Sequence, residues 1–176
     1  MKILGVISAL LPTFVLGSLS AGEAQLRQVP QPNQLCSDQP DAAIVMFEDA
    51  NLEAAVRAAL GVSAQEDLTC GLISVLTVLD ASSSGIESVV GIQNLRSPTG
   101  LGLAQNSITD ISSLSRLTSL TNLLLDGNPA LSNIQPLLDN TGLGAGDAVD
   151  LRLTSVSCTD VAALEAKGVA VTSDCP

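Results

Sequence analysis

The sequence predicts an α/β solenoid, a short stack of coils with parallel β-strands on the concave face, a helical N-terminal cap and a helix-strand C-terminal cap. Three observations predict it. Apolar residues between positions 76 and 141 recur with a spacing of 22, as in Leu79, Leu101 and Leu123, and a period in the twenties marks a stacked-coil architecture. The composition is aliphatic, 46% hydrophobic with two Phe and no Trp or Tyr, which suits columns of Leu and Ile better than a core built on aromatic rings. The flanks of the repeat lose its periodicity, and two Cys fall in or beside each flank.

The elements follow in order along the 176 residues. Residues 1–24 read as a secretory signal: Lys2 precedes the apolar run Ile3 to Leu19, Pro12 interrupts it, and Gly22-Glu23-Ala24 offers small residues where a signal peptidase cleaves. That run is short for a membrane span, which needs about 20 apolar residues. Residues 25–43 form a Pro/Gln-rich linker or arm without apolar periodicity. Residues 44–75 are the N-terminal cap. Within it Leu52, Ala55, Val56, Ala59 and Leu60 lie at the spacing of one helix face, Asp49 is placed to cap the helix, Glu53 and Arg57 form an i,i+4 pair, and Gly61 stops it. A second short helix is expected around Thr69 to Val75.

Residues 76–157 carry about four coils. Ala81, Leu103 and Leu125 share one register position, and Ser84, Asn106 and Asn128 another; Ile86 matches Ile108, Val89 matches Ile111, and Ile92 matches Leu114. The pattern L-x-x-L-x-L-x-x-N-x-I is that of a leucine-rich repeat. An amide at the Asn position supplies a donor and an acceptor where the buried backbone turns off the strand; Ser84, and Thr154 in the fourth coil, are weaker substitutes. The third unit is deformed, because Asn128-Pro129 and an extra residue displace Ile134 and Leu137, and Gly142, Gly144 and Gly146 lengthen the passage onward. Residues 158–176 form the closing cap: Ser157 and Asp160 resemble a capping box, Val161 and Leu164 share a face, Gly168 ends the helix, and Val169-Ala170-Val171 follow as a strand.

Four Cys in an exported chain point to disulfides, and three pairings exist. Proximity and the capped-stack architecture favour Cys36 with Cys70 and Cys158 with Cys175. No Cys-x-x-Cys spacing supports a metal site, and no D-x-D-x-D-G loop supports calcium, so neither metal nor cofactor is expected.

The segment FEDANLEAAVRAALG, the LxxLxLxxNxITDISSLSRLTSL repeat and the closing SVSCTDVAALEAKGVAVTSDC resemble secreted bacterial leucine-rich-repeat proteins of the internalin-like class, over roughly residues 44–175. The resemblance implies a curved solenoid that binds another macromolecule through its strand face. It does not imply host-cell invasion, because the coils are far fewer than in typical internalins, and it carries over no ligand residues.

Composition bears on function. Seven Lys and Arg against 18 Asp and Glu give a net charge of -11, which disfavours nucleic acid and anionic membranes as partners. The absence of His removes His-based triads and His-ligated metals, and no other catalytic motif is visible. The expected role is therefore non-catalytic recognition by a secreted or surface-exposed monomer of an unknown protein or glycan, with a basic partner favoured by the acidic strand face. Residues alternating with the buried Leu face outward; those assigned to partner binding are Asp80, Ser82, Gln105, Leu124, Asp126, Asp150 and Arg152, with Gly102 and Ala104 between them. An alternative is a structural protein that packs polymer or ice against the hydroxyl-rich segment Thr109, Ser112, Ser113, Ser115, Thr118 and Ser119; a carboxylate-dependent hydrolase is the weakest alternative.

Overall fold

A computed structural model describes residues 35–176. The secretory signal expected over 1–24 and the first part of the arm lie outside the described residues. Five parallel strands form one sheet in sequential order: β1 (Val78–Asp80), β2 (Gly100–Gly102), β3 (Asn122–Leu124), β4 (Ala148–Asp150) and β5 (Ala170–Thr172). The register is direct, Leu79 beside Leu101, Leu101 beside Leu123, Leu123 beside Val149 and Val149 beside Val171. The fifth strand is the strand of the C-terminal cap, so the cap extends the stack rather than merely covering it.

The core is one aliphatic column. Leu79, Leu103, Ile108, Ile111, Leu114, Leu123, Leu125, Ile134 and Leu137 are all fully buried. No single coil could hide such a set; each strand's inward residue is covered by those of its neighbours. Opposite the strands lies a layer of short helical turns, Ile92–Asn94, Ser112–Arg116 and Gln135–Asp139, the last a turn of α-helix. The third coil is longer than the others, as its extra residues predict, yet Leu131, Ile134 and Leu137 still reach the core. The added chain is absorbed in that outer layer, which leaves the strand register intact.

Buried amides connect the coils. Asn106 Nδ2 donates to Ala81 O and Leu103 O, each at 3.0 Å, while its Oδ1 accepts from Ser84 N and Ile86 N. Asn128 repeats the arrangement one coil later with Leu103 O, Leu125 O and Ile108 N. Each amide therefore bonds backward to the preceding coil. Ser84 has no preceding coil to serve, and its hydroxyl donates locally to Ser82 O. Thr154 likewise donates within its own coil, to Leu151 O at 2.6 Å.

The N-terminal cap contains α1 (Ala50–Leu60) and α2 (Cys70–Ile73). Asp49 caps α1 by accepting from Asn51 N and Leu52 N, Gly61 ends it at φ 68°, and Arg57 meets Glu53 at 2.7 Å. Leu52 and Val56 are buried on its inner face, whereas Ala59 is exposed. The arm expected over 25–43 is partly described, and from Leu35 onward it is packed into this cap. Cys36 and Ala43 are buried, Cys36 N donates to Asn94 Oδ1, and Arg96 pairs with Asp41. The physical reason is the disulfide Cys36–Cys70, which holds the arm against α2 with Cα atoms 5.3 Å apart.

The α-helix Gln135–Asp139 is α3, and the closing helix α4 spans Cys158–Ala166 with Ser157 Oγ accepting from Asp160 N. The disulfide Cys158–Cys175 joins the start of α4 to the chain end. Lys167 adds a contact that local sequence does not announce: its ammonium donates to Leu137 O, Leu138 O and Asn140 O, satisfying the last carbonyls of α3.

Candidate functional site

The outward residues of five short strands make the concave face. Along each strand only the first and third residues point away from the core, giving Val78 and Asp80, Gly100 and Gly102, Asn122 and Leu124, Ala148 and Asp150, Ala170 and Thr172. Val78 is 60% exposed and Leu124 38%. The first residues of the strands, Val78 and Asn122 above all, belong to this face although the reading of the sequence placed only later positions there. Alternation about Leu79 and Leu123 extended one residue upstream finds them.

Six of the seven assigned residues fall into two groups, and Gln105 stands apart. Asp80, Ser82 and Leu124 lie together around β2. The Ser82 hydroxyl and its backbone amide, 3.1 Å from Oδ1, both donate to Asp80 and hold its carboxyl below the usual value. Gly102, on the strand between, is buried beneath Asp80 and Ser82, and Ala104 is also buried. These two positions, expected to face outward, are too small to stand above their neighbours.

Asp126, Asp150 and Arg152 form the second group, toward the C-terminal end. Arg152 grips Asp150 from Nε and an η nitrogen, the shortest contact 2.6 Å, and this pairing holds the Asp150 carboxyl low. Asp126 and Asp174 add to the negative field on the same guanidinium. Asp150 therefore carries its own counter-ion, and the face is less acidic than a count of carboxylates suggests. Gln105 lies in the turn beyond β2 at φ 54° and accepts from the Ser83 hydroxyl of the preceding coil, so its amide is engaged in coil stacking.

β2 contributes no side chain to the face. The result is a slot of about 210 Å³ floored by Gly100 and Gly102, walled by Val78 and Asp80 on β1 and by Asn122 and Leu124 on β3, with Ser82 at one end. A Cβ on Gly100 would approach Val78 Cγ1 to 3.3 Å, and one on Gly102 would approach Asp80 Oδ1 to 2.7 Å. The carboxylate thus leans over the floor. Among the described residues no group of three or more Cys, Asp or Glu is arranged to hold a metal ion. The hydroxyls of the Thr109–Ser119 segment bond locally where they are engaged, Ser112 to Asp110 and Ser115 to Ser112 O.

One parallel strand per coil, a buried Asn ladder, a helical cap at one end and a helix-strand cap at the other define a short leucine-rich-repeat solenoid. The chain is similar to an internalin, InlF, from Listeria monocytogenes, at 33% identity and a TM-score of 0.57, over 63% of this chain and 32% of that one. It thus spans about a third of that protein's resolved length. Internalin C2 from Listeria monocytogenes matches at 20% identity with a TM-score of 0.40, over 73% of this chain and 94% of its own. A structure of the CBM51-2 and INT domains from Clostridium perfringens ZmpB matches at 26% identity and a TM-score of 0.42, over 48% of this chain and 18% of its own. No protein-family profile and no curated sequence matches. Among the described residues no helix is long and apolar enough to cross a membrane.

Proposed function

We propose that this protein is an exported, non-catalytic recognition module that binds a protein or glycan through the concave strand face. One observation carries the reading. The first and third residues of five adjacent strands point outward, free of the core, and they include exposed apolar side chains, Val78 and Leu124, beside polar ones, Asp80 and Asn122. Apolar and hydrogen-bonding groups interleaved on a rigid surface are what a recognition face requires. The likeness to a Listeria internalin over 63% of the chain supports the same reading.

Five strands at about 4.8 Å spacing span only about 19 Å, which is small beside an ordinary protein interface of about 800 Å² per partner. Weak or multivalent binding follows. The test is site-specific photocrosslinking on intact cells of the source organism and on the surfaces it meets, with a benzophenone side chain at Asn122 on the strand face or at Asp139 on the helical side. Crosslinks from Asn122 that excess unmodified protein suppresses are expected. Equal capture from Asp139, or capture there alone, overturns the concave-face reading.

A further inference from the structure

We infer that the glycine-floored slot across β2 receives a lysine side chain of the partner, its alkyl stem lying over Gly100 between Val78 and Leu124 and its ammonium meeting Asp80 where that carboxylate overhangs Gly102. The inference rests on the concave-face reading and names what that face selects.

The dimensions set the first constraint. Strands β1 and β3 are two sheet spacings apart, about 10 Å, so the slot between their outward side chains is one strand wide. From Gly100 to the Asp80 carboxylate over Gly102 is one two-residue step, about 7 Å, close to the reach of a four-carbon stem and its ammonium.

Charge sets the second. Asp80 is the one ionisable group on the slot; no Lys or Arg lines it. Its carboxylate stays anionic under the Ser82 donors and overhangs Gly102. A neutral chain entering would cover part of that carboxylate with nothing to replace the lost water, and an anion would be repelled. A lysine meets both demands, because its stem is apolar and its charge is confined to the tip. Arginine carries a broad planar head on a shorter stem, so its charge is less confined to the tip. The overall charge of -11 draws cationic segments toward the surface.

The slot is read directly by titrating the isotope-labelled protein with two capped amino acids, N-acetyl-lysine-N-methylamide and its norleucine counterpart, which has the same stem without the ammonium. The lysine probe is expected to shift the Gly100 and Gly102 amide resonances and to bind about fivefold more tightly than norleucine, the gain of one partly exposed ion pair. Asp80→Asn is expected to erase that difference and leave the norleucine response alone. Gly102→Val is expected to abolish the response to both probes. Asp80 is on the surface, so its variant keeps the fold and the test stands even where the glycine variant disturbs the sheet. Equal binding of both probes, or discrimination that survives Asp80→Asn, overturns the assignment. If neither probe shifts the glycines while Asn122 still crosslinks to the partner, the lysine inference falls and the concave-face reading stands; loss of the Asn122 crosslink removes both.

Discussion

The carboxylate of Asp49 accepts a hydrogen bond from the backbone amide of Glu87, 38 residues further along the chain, at 2.7 Å. Its other oxygen caps α1 through Asn51 N and Leu52 N, and Ser88 N approaches the same oxygen as Glu87. One side chain thus starts the cap helix and fastens it to the first coil. Burial pushes this carboxyl up, but the four amide donors together outweigh burial and hold its pKa below the usual carboxyl value.

Asp49→Ala is expected to destabilise the protein by about 2 kcal/mol, the sum of a lost N-cap and a lost tie to the repeat. Because the folded pKa is depressed, the stabilisation is present in full above the unfolded value of about 3.9 and is lost as pH falls through the lower folded value. Urea unfolding followed from pH 5 to pH 2 checks this: the wild type should lose stability more steeply over that window than Asp49→Ala. Parallel curves would show that the carboxylate contributes nothing.

Asn128→Ala removes an amide that serves Leu103 O, Leu125 O and Ile108 N in a fully buried setting. The expected cost is about 3 kcal/mol, since Leu125 O and Ile108 N lose the amide away from water and Leu103 O is left with Asn106 Nδ2 alone. Ser84→Ala should cost well under about 1 kcal/mol, because its hydroxyl serves only a local carbonyl. Thermal and urea unfolding of the two variants checks the contrast. Similar losses would contradict the backward-bonding ladder.

Lys167→Met keeps most of the side-chain length but deprives three carbonyls of α3 and its end of their donor. A loss of about 2 kcal/mol is expected, concentrated at the C-terminal end. Hydrogen exchange should rise at Ala170–Thr172, where β5 rests on that junction, and change little at Val78–Asp80. Uniform loss of protection would mean that the stack unfolds as one unit with no local role for the lysine.

The two disulfides close loops of 34 and 17 residues. In the chain-entropy account each contributes about 3 to 4 kcal/mol. Cys158→Ser with Cys175→Ser should fray the last coil, and Cys36→Ser with Cys70→Ser should free the arm from α2. Proteolysis with sequencing of the first cleavage sites distinguishes the two ends; early cuts in the central coils for either variant would refute end-specific stapling.

Much of the architecture was legible before any coordinates. The spacing of Leu79, Leu101 and Leu123 is carried into neighbouring strands, because a residue buried once per coil must return to the same place in every coil. Asn106 and Asn128 were legible for the same reason, and the Cys pairings followed from a stack with two separate ends. Asn94 and Asn140 were not. They are buried and bonded to Cys36 N, and to Leu114 O and Leu117 O, yet they share no register position with the repeat asparagines. Gly102 was read as a small outward residue, but Gly100 was not assigned to the face, nor was the slot the two make between Val78 and Leu124.

The sequence by itself determined the period, the strand register and the aliphatic core, since these depend on patterns of burial that repeat along the chain. Only the tertiary structure decided that Cys36 and its neighbours pack into the cap, that Lys167 ties α3 to the closing unit, that Arg152 neutralises Asp150, and that two glycines open a slot beside Asp80. Those features depend on which side chains meet across coils and on space where a side chain is missing, and neither leaves a periodic trace in one dimension.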